Sequence, residues 1–201
     1  GRRTAAMTML GIKTFMPAAP RDILLIGTGT QSANHLEAIG ELFPQAVVRV
    51  RGSSAARAQA FCDAHRASVP GVQPLVTPEV PESVDLVITL TTSKQAVYDE
   101  APRPGRLVIG VGAFTPDAVE IGARTVLGSR LFVDDLAGAK HEAGDFIQAG
   151  VKWDQVSGIA SVLGASTPPR ASDTALVFKT VGCAAWDLGA GRVARDQLSA
   201  G

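Results

Sequence analysis

Short apolar runs alternate with stretches of helical periodicity along the 201-residue chain. The clearest run, at residues 23–26, has four aliphatic side chains in succession, as expected of a parallel strand that helices cover on both faces. Leu36 and Ile39 then recur at helical spacing, which predicts a helix over residues 30–43 that ends before Pro44. A buried strand followed at once by a helix is the opening of an α/β unit.

The same alternation continues to the end of the chain. Further strands are predicted at 46–50, 72–76, 84–90, 107–111, 131–133 and 175–179, and further helices at 4–13, at 55–65, after 133 and from Gly182 onward. Thr115, Pro116 and Asp117 have the residue types of a helix start. We therefore predict an α/β fold with a doubly wound, mostly parallel Rossmann sheet and flanking helices, and one such domain accounts for residues 1–201.

The first predicted strand stops at two glycines that are spaced one residue apart. Gly27 permits a tight turn, and Gly29 lets backbone N–H groups approach a pyrophosphate without a Cβ in the way. The third glycine of the usual fingerprint is replaced by Ser32, which is also small. Because the pair follows a strand and opens a helix, we predict a dinucleotide site. The residues predicted to hold the pyrophosphate are Gly27, Gly29, Thr30 and Gln31.

The segment after the second strand bears on which dinucleotide binds. An acidic residue here would bind the ribose hydroxyls of NAD and repel the additional phosphate of NADP, but residues 51–54 contain no carboxylate. Arg51, Ser53 and Ser54, with Arg57 as a further candidate, have the donors that a 2′-phosphate needs. The sequence therefore favours NADPH over NADH, with an exposed arginine beside a small-residue turn as the alternative.

The composition excludes several other classes of protein. Nineteen basic side chains balance nineteen acidic ones without a basic run, so nothing indicates a nucleic-acid partner or an anionic membrane. No apolar stretch reaches the length of a membrane span. The two cysteines, Cys62 and Cys183, lack metal-site spacing and are predicted to be reduced thiols in a cytoplasmic protein with a small-molecule partner. The three histidines are isolated from one another, so no metal site is predicted.

Polar side chains at two strand ends remain to be explained. Thr91, Thr92 and Ser93 follow the fourth strand, at the edge of an α/β sheet where ligands bind, although threonine also suits strands in general. Four carboxylates surround the helix after the sixth strand, and they are predicted to be caps or solvated groups rather than an acid/base pair. These carboxylates are Asp134, Asp135, Glu142 and Asp145.

Several stretches together resemble the ornithine cyclodeaminase/mu-crystallin family, and they occur in the family's order from Arg3 to Asp187. The matching stretches are RTAA at 3–6, IGTGTQ at 26–31, TTS at 91–93, GVGA at 110–113 with Pro116 and Glu120, VD at 133–134, EAGD at 142–145, and FKTVG at 178–182 with Asp187. The resemblance implies a Rossmann domain inserted into a second domain that carries dimerisation and part of the substrate pocket. We expect residues 1–18 and 183–201 to be helical segments that lead to this domain, and the chain to be a fragment of a two-domain homodimer.

The resemblance also implies roles for individual residues. Arg3 matches the arginine that grips the substrate carboxylate, with a solvated terminal arginine as the alternative. Asp187 is predicted to be structural. The remaining expected cofactor contacts are Thr91 and Ser93 to the ribose, and Ala113, Thr115 and Thr180 near the nicotinamide. The proton donor, a lysine in the family, is expected on a segment outside this chain.

One departure from the family pattern bears on the reaction. Cyclodeaminases have a catalytic aspartate where this chain has Phe114, and phenylalanine cannot act as a base. Phe114 is predicted to contact the nicotinamide or a ring-shaped substrate, or alternatively to fill a gap in the core. The resulting hypothesis is NAD(P)H-dependent reduction of a cyclic imino acid of the Δ1-pyrroline-2-carboxylate type to an amino acid such as proline. Ornithine cyclodeaminase or alanine dehydrogenase activity, and a non-catalytic mu-crystallin-like binding protein, remain as alternatives.

Overall fold

The computed structural model describes residues 1–199, which form one sheet with helices on both faces. The strands are β1 (Asp22–Ile26), β2 (Val47–Arg51), β3 (Val72–Pro74), β4 (Leu86–Thr89), β5 (Leu107–Gly110), β6 (Arg130–Val133), β7 (Val156–Gly158) and β8 (Leu176–Lys179). The α-helices are α1 (Arg2–Phe15), α2 (Thr30–Leu42), α3 (Ala55–His65), α4 (Ala123–Leu127), α5 (Leu136–Glu142), α6 (Gly144–Ala149) and α7 (Ala184–Ser199). Two single 3₁₀ turns, Trp153–Gln155 and Ile159–Ser161, flank β7.

The strand order in the sheet is β3-β2-β1-β4-β5-β8-β6-β7, and every neighbouring pair is parallel. From β1 the chain first builds outward through β2 and β3, and then returns to the other side of β1 to place β4. The order reverses between β1 and β4, which is the position where doubly wound sheets bind ligands. The prediction of a doubly wound, parallel Rossmann sheet is confirmed.

Alternate residues of β1 belong to different faces of the sheet. Ile23 and Leu25 pack in the core layer with α1, α2 and α3, whereas Leu24 and Ile26 pack in the layer with α5 and α6. All four are at most 3% exposed. Full burial of each such side chain is worth about 1.5–3 kcal/mol, which explains why the sequence needs a continuous apolar run here.

The first helix is joined to the second by a buried histidine. His35 on α2 is fully buried, with its Nε2 2.9 Å from the hydroxyl of Thr8 on α1 and its Nδ1 2.8 Å from the carbonyl oxygen of Gln31. A carbonyl only accepts, so Nδ1 carries the proton and Nε2 accepts from Thr8. Burial lowers the pKa of His35 to about 4, which keeps the ring neutral near pH 7.

The predicted helix start at Thr115 is wrong. Residues 115–117 form a turn in which the amide of Ala118 donates to the carbonyl oxygen of Thr115 at 3.1 Å, and the next helix begins only at Ala123. The N–H groups of residues 119–121 donate to Ser93 and Asp145 in other parts of the chain, so they are not free to form helical hydrogen bonds. Tertiary partners override the local helix signal here.

One strand differs from the predicted pattern, whereas the last helix, predicted from Gly182 onward, agrees with it. Strand β7 was not predicted, because three residues beside β6 are too short to give a recognisable run. Helix α7 is largely exposed and presents Leu188 and Val193 to solvent, at 58% and 63% exposure. No helix within residues 1–199 combines the length and the apolar character needed to cross a bilayer.

Candidate functional site

The two glycines after β1 have different roles. Gly27 has a φ of +130°, and a Cβ there would lie 2.6 Å from the carbonyl oxygen of Leu90, so the fold itself needs glycine. Gly29 is the N-cap of α2, and a Cβ there would meet nothing within 4 Å. No side-chain cap or acidic first-turn residue competes for the N–H groups of Thr30 and Gln31. The open space in front of Gly29 therefore fits a pyrophosphate.

The residues predicted to contact a 2′-phosphate lie together at the carboxyl end of β2. The Nη2 of Arg51 donates to the carbonyl oxygens of residues 77–79 at 3.0 to 3.3 Å, which holds the guanidinium against that loop. Ser54 caps α3 by accepting the N–H of Arg57 at 3.2 Å, so its own hydroxyl hydrogen remains available to a phosphate. Ser53 is exposed beside it. An open pocket of about 270 Å³ borders Arg51 and Ser54.

A second recess lies at the carboxyl ends of β4, β5 and β8, where α1 and α7 complete its wall. It is a cavity of about 180 Å³ beside the glycine turn. Five residues predicted from the sequence line it, namely Arg3, Gln31, Thr91, Phe114 and Thr180. The structure thus brings together side chains that are up to 177 positions apart in the chain, at the edge where α/β sheets bind ligands.

Three other predicted residues are close to this cavity without lining it. The hydroxyl of Ser93 donates to the carbonyl oxygen of Gln95 at 2.6 Å, within its own loop. Ala113 is fully buried, and the hydroxyl of Thr115 donates to Asp117 at 2.7 Å on the surface. These residues can shape the cavity through the backbone, whereas direct side-chain contacts to a ligand there would need a different loop conformation.

The sequence did not single out some residues of the cavity wall. They include Met7 and Trp186, which supply apolar surface from α1 and α7. Phe114 completes the apolar wall and is 55% exposed, so it does not fill a gap in the core. The position of Trp186 in the first turn of α7 gave no periodic signal that could have assigned it to a site.

Arg3 is held at the cavity by a carboxylate. Its Nη1 forms an ion pair with the Oδ1 of Asp187 on α7, so Arg3 is not a freely solvated terminal arginine. The two side chains are 42% and 65% exposed, and a pair this exposed stabilises a fold little. The structural role predicted for Asp187 is therefore to orient Arg3, and a guanidinium so placed retains donors for a ligand carboxylate.

The prediction for the four carboxylates at positions 134–145 is partly wrong. Asp135 caps α5 by accepting the N–H groups of Ala137 and Gly138, and Glu142 is exposed, as predicted. Asp134 and Asp145, however, are only 6% and 1% exposed. Asp134 accepts the N–H groups of Val181 and Gly182, and Asp145 accepts those of Glu120 and Ile121, long-range contacts that local sequence does not encode.

Among the described residues, Glu120 is one of two side chains near the cavity, with Asp134, whose carboxylate accepts four hydrogen bonds. The carboxylate of Glu120 accepts the N–H groups of Thr91, Gly112 and Ala113 and the hydroxyl of Thr89. Asp145 in turn accepts the N–H groups of Glu120 and Ile121, at 2.6 and 2.9 Å. The Nζ of Lys179, itself fully buried, lies 3.2 Å from the Oδ2 of Asp145. Sequence reasoning noted these residues only as parts of motifs and missed their connection.

No cluster of three or more His, Cys, Asp or Glu side chains that suits a metal ion occurs in the described part of the chain. The chemistry available at this edge is therefore that of a glycine turn, hydroxyl groups, one guanidinium and an apolar wall.

Comparison with known proteins agrees with this arrangement. The profile of the ornithine cyclodeaminase/mu-crystallin family matches residues 1–201. The chain is 60% identical over 200 residues to the Δ1-pyrroline-2-carboxylate/Δ1-piperideine-2-carboxylate reductase of Azospirillum brasilense, and 59% identical over 200 residues to Δ1-pyrroline-2-carboxylate reductase 2 of Burkholderia ambifaria. Both alignments cover 100% of this chain and 63% of the relative, so the chain spans less than two thirds of these proteins.

A solved structure of a more distant protein has the same fold. The Δ1-pyrroline-2-carboxylate reductase of Thermococcus litoralis, solved in complex with NADH and L-proline, superimposes with a TM-score of 0.81 at 24% sequence identity. The match covers 92% of this chain and 60% of that chain. At this identity the likeness shows the fold alone, and that fold is the Rossmann-type sheet described above.

Proposed function

Since this chain belongs to the ornithine cyclodeaminase/mu-crystallin family, we propose that it is the nucleotide-binding part of an NAD(P)H-dependent reductase. Its substrate is a cyclic imino acid of the Δ1-pyrroline-2-carboxylate type, and its product is a cyclic amino acid such as proline. The observation that carries this proposal is the position of Arg3 at an apolar cavity beside the glycine turn. The names of relatives at 59 and 60% identity support the same substrate class.

The residues of the cavity suit the two ends of such a substrate. Arg3, oriented by Asp187, binds the carboxylate through paired N–H donors. Met7, Phe114 and Trp186 form an apolar wall against which a small ring packs and from which water is excluded. A bound reduced nicotinamide supplies the hydride. The side chains described here contribute binding and orientation, and the proton donor is a lysine outside this chain.

The cofactor is held along the carboxyl edge of the sheet. Gly27 and Gly29 with the N–H groups of Thr30 and Gln31 hold the pyrophosphate, and the side chain of Thr91 contacts the ribose, to which Ser93 contributes through the backbone of the same loop. Ala113, Thr115 and Thr180 lie near the nicotinamide. Arg51, Ser53 and Ser54 contact a 2′-phosphate, so NADPH is preferred over NADH. This preference is supported by the absence of a carboxylate between residues 51 and 54 and by the open pocket next to Arg51.

The same residues argue against the two other enzymatic activities considered. Phe114 occupies the position of the cyclodeaminase aspartate and lines the cavity, so deamination of ornithine has no base there. An alanine dehydrogenase substrate is a short open chain, which leaves the apolar wall of Met7, Phe114 and Trp186 largely unused. A mu-crystallin-like binding protein would use the same cavity without turnover.

The remaining parts of the proposal concern the intact protein. The relatives are longer than this chain. We propose that the chain is one Rossmann domain of a two-domain protein, that it dimerises through the other domain, and that it functions in the cytoplasm.

The test uses the intact parent protein with NADPH or NADH and one of two substrates, while the loss of reduced-nicotinamide absorbance is followed. The substrates are Δ1-pyrroline-2-carboxylate, and pyruvate with ammonia. A third arm, ornithine with NAD, is scored by ammonia release. Oxidation of the nucleotide with the cyclic imine, and faster with NADPH, is the expected result. Tight nucleotide binding without turnover in any arm would instead support the binding-protein alternative.

A further inference from the structure

Two loops form the part of the cavity wall that faces the glycine turn. One follows β4 and contains Thr91, and the other follows β5 and contains Gly112 and Phe114. Parallel strands leave such loops without mutual backbone pairing, because the ladder of the sheet ends at Thr89 and Gly110. Something other than the sheet must therefore set the distance between the two loops.

Glu120 supplies that connection. Its Oε1 accepts the N–H of Thr91 in the first loop, and its Oε2 accepts the N–H groups of Gly112 and Ala113 in the second, at 2.6 and 3.0 Å. The hydroxyl of Thr89, at the end of β4, donates to the same Oε2 at 3.0 Å. Both loops are thus fixed to the two oxygens of one fully buried carboxylate.

The close approach of the loops depends on this arrangement. A Cβ at Gly112 would collide with the backbone of Thr91 and would lie 2.7 Å from the Oε1 of Glu120. The position therefore requires glycine, because the two loops and the carboxylate are packed in direct contact.

The backbone of Glu120 is itself fixed by hydrogen bonds. Its own N–H donates to Asp145 at 2.6 Å, and its carbonyl oxygen accepts the N–H groups of Val97 and Tyr98 at 2.8 and 3.0 Å. Asp145 is paired with Lys179 on β8, which extends the connection to a third strand of the cavity edge. A side chain fixed at both its backbone and its carboxylate loses little freedom when a ligand binds, so it can preorganise the loops.

We propose that Glu120 is a positioning residue for the nicotinamide half of the nucleotide. Its carboxylate sets the separation of the Thr91 loop and the Gly112 to Phe114 loop before the nucleotide binds. The inference rests on the proposed function only in assuming that a nicotinamide nucleotide binds at this edge.

The substitution Glu120→Gln tests this role with little change in shape. All four partners of Glu120 are donors, and a carboxamide has only one acceptor oxygen. The amide oxygen will take the Oε2 position, where three donors converge, and its NH₂ group will then face the N–H of Thr91. The variant should therefore release the Thr91 loop more than the Gly112 loop.

A matched control is available at the opposite edge of the sheet. Asp22 begins β1, is 7% exposed, and accepts the Nε and Nη2 of Arg49 and the hydroxyl of Ser83. Asp22→Asn makes the same change from carboxylate to carboxamide in a buried network that is distant from the cavity. It should lower stability without changing nucleotide affinity.

The first measurement is amide hydrogen exchange in the nucleotide-free intact protein, and the second is the Kd for NADPH by titration. In Glu120→Gln we expect exchange at Thr91 to accelerate roughly 10- to 100-fold, and the Kd to rise about tenfold. Exchange at Gly112 and Ala113 should change less. Asp22→Asn should leave both the Thr91 exchange rate and the Kd at their wild-type values.

If Glu120→Gln does not fold, Thr89→Val removes a single donor to the same carboxylate. It should raise the Kd for NADPH severalfold, and Thr89→Ser, which keeps the hydroxyl, should restore it. If Glu120→Gln folds and its Kd for NADPH is unchanged, the positioning role is overturned and Glu120 is a purely structural residue. The same conclusion follows from an unchanged Kd in Thr89→Val when Glu120→Gln does not fold. Wild-type protein that binds neither nucleotide would instead refute the proposed function, and the positioning role with it.

Discussion

The buried histidine between α1 and α2 predicts how the stability of the protein depends on pH. His35 has a pKa lowered from 6.5 to about 4, mainly because burial disfavours its charged form, while its hydrogen bond to Gln31 opposes the shift. Between pH 6.5 and 4, His35 is therefore mostly protonated in the unfolded chain and mostly neutral in the folded protein. Stability from this group is fully present above pH 6.5 and is lost as the pH falls from 6.5 to 4.

The size of the effect follows from the shift. A change of this size in pKa corresponds to about 3 kcal/mol at 1.36 kcal/mol per unit. At pH 5, where the unfolded histidine is mostly protonated and the folded one is mostly neutral, about 2 kcal/mol of this should already be lost. His35 accepts a hydrogen bond from the hydroxyl of Thr8, and protonation of the ring removes this acceptor. Acid therefore also weakens the attachment of α1, which carries Arg3 and Met7 to the cavity.

The assay is urea unfolding followed by circular dichroism at pH 7.5, 6.5, 5.5 and 5.0, for wild type and His35→Gln. The glutamine variant should be less stable at pH 7.5, but its free energy of unfolding should fall less steeply between pH 6.5 and 5. The difference between the two slopes isolates His35, because the other titrating groups are common to both proteins. Equal slopes, or a His35 ring that titrates near 6.5 in the folded protein by NMR, would refute the reasoning.

Three further predictions concern the site. Arg51→Asp should raise the Kd for NADPH at least tenfold more than the Kd for NADH, because it replaces a phosphate contact by repulsion. Equal changes in the two titrations would contradict a 2′-phosphate site at the end of β2. Gly29→Val should abolish binding of both nucleotides with circular dichroism unchanged, because its side chain would enter the space that fits the pyrophosphate; retained affinity would place the phosphates elsewhere. Arg3→Lys should raise the KM for the imino acid roughly tenfold or more with an unchanged nucleotide Kd, because a point charge cannot replace the paired donors. Arg2→Gln is its control, since Arg2 lies on the exposed face of α1 and pairs with Glu37.

The sequence predicted well those features that depend on local patterns. The run at 23–26 and the glycines at 27 and 29 predicted β1, its turn and the start of α2, because burial on two faces and the absence of a Cβ leave direct marks on residue type. Ranges for α3 and for most strands agree with the structure for the same reason. The helix expected at Thr115 failed because a cap signal is weak, and the N–H groups that would have continued the helix donate elsewhere.

The candidate site was predictable in part for a different reason. Arg3 and Phe114 were assigned from a family resemblance, and the structure brings both to one cavity. Trp186 and Met7 gave no signal, because an apolar residue that lines a cavity has the same type as one that fills a core. Only the packing of α1 and α7 against the sheet edge distinguishes the two cases.

The buried carboxylates show where such reasoning ends and what structure adds. Asp145 lies among charged residues in sequence, and a carboxylate there is most often solvated, yet it is 1% exposed and pairs with a fully buried lysine. Burial of these charges is tolerable because both oxygens of Glu120 accept N–H groups that would otherwise be unsatisfied after β4 and β5, while Asp145 accepts two N–H groups on Oδ1 and faces the ammonium of Lys179 with Oδ2. Parallel strands end with free N–H groups in the loops that must contact a ligand, and acceptors placed beneath those loops satisfy them without occupying the cavity. The same hydrogen bonds that make Glu120 and Asp145 compatible with the core thus also fix the loops that border the cavity.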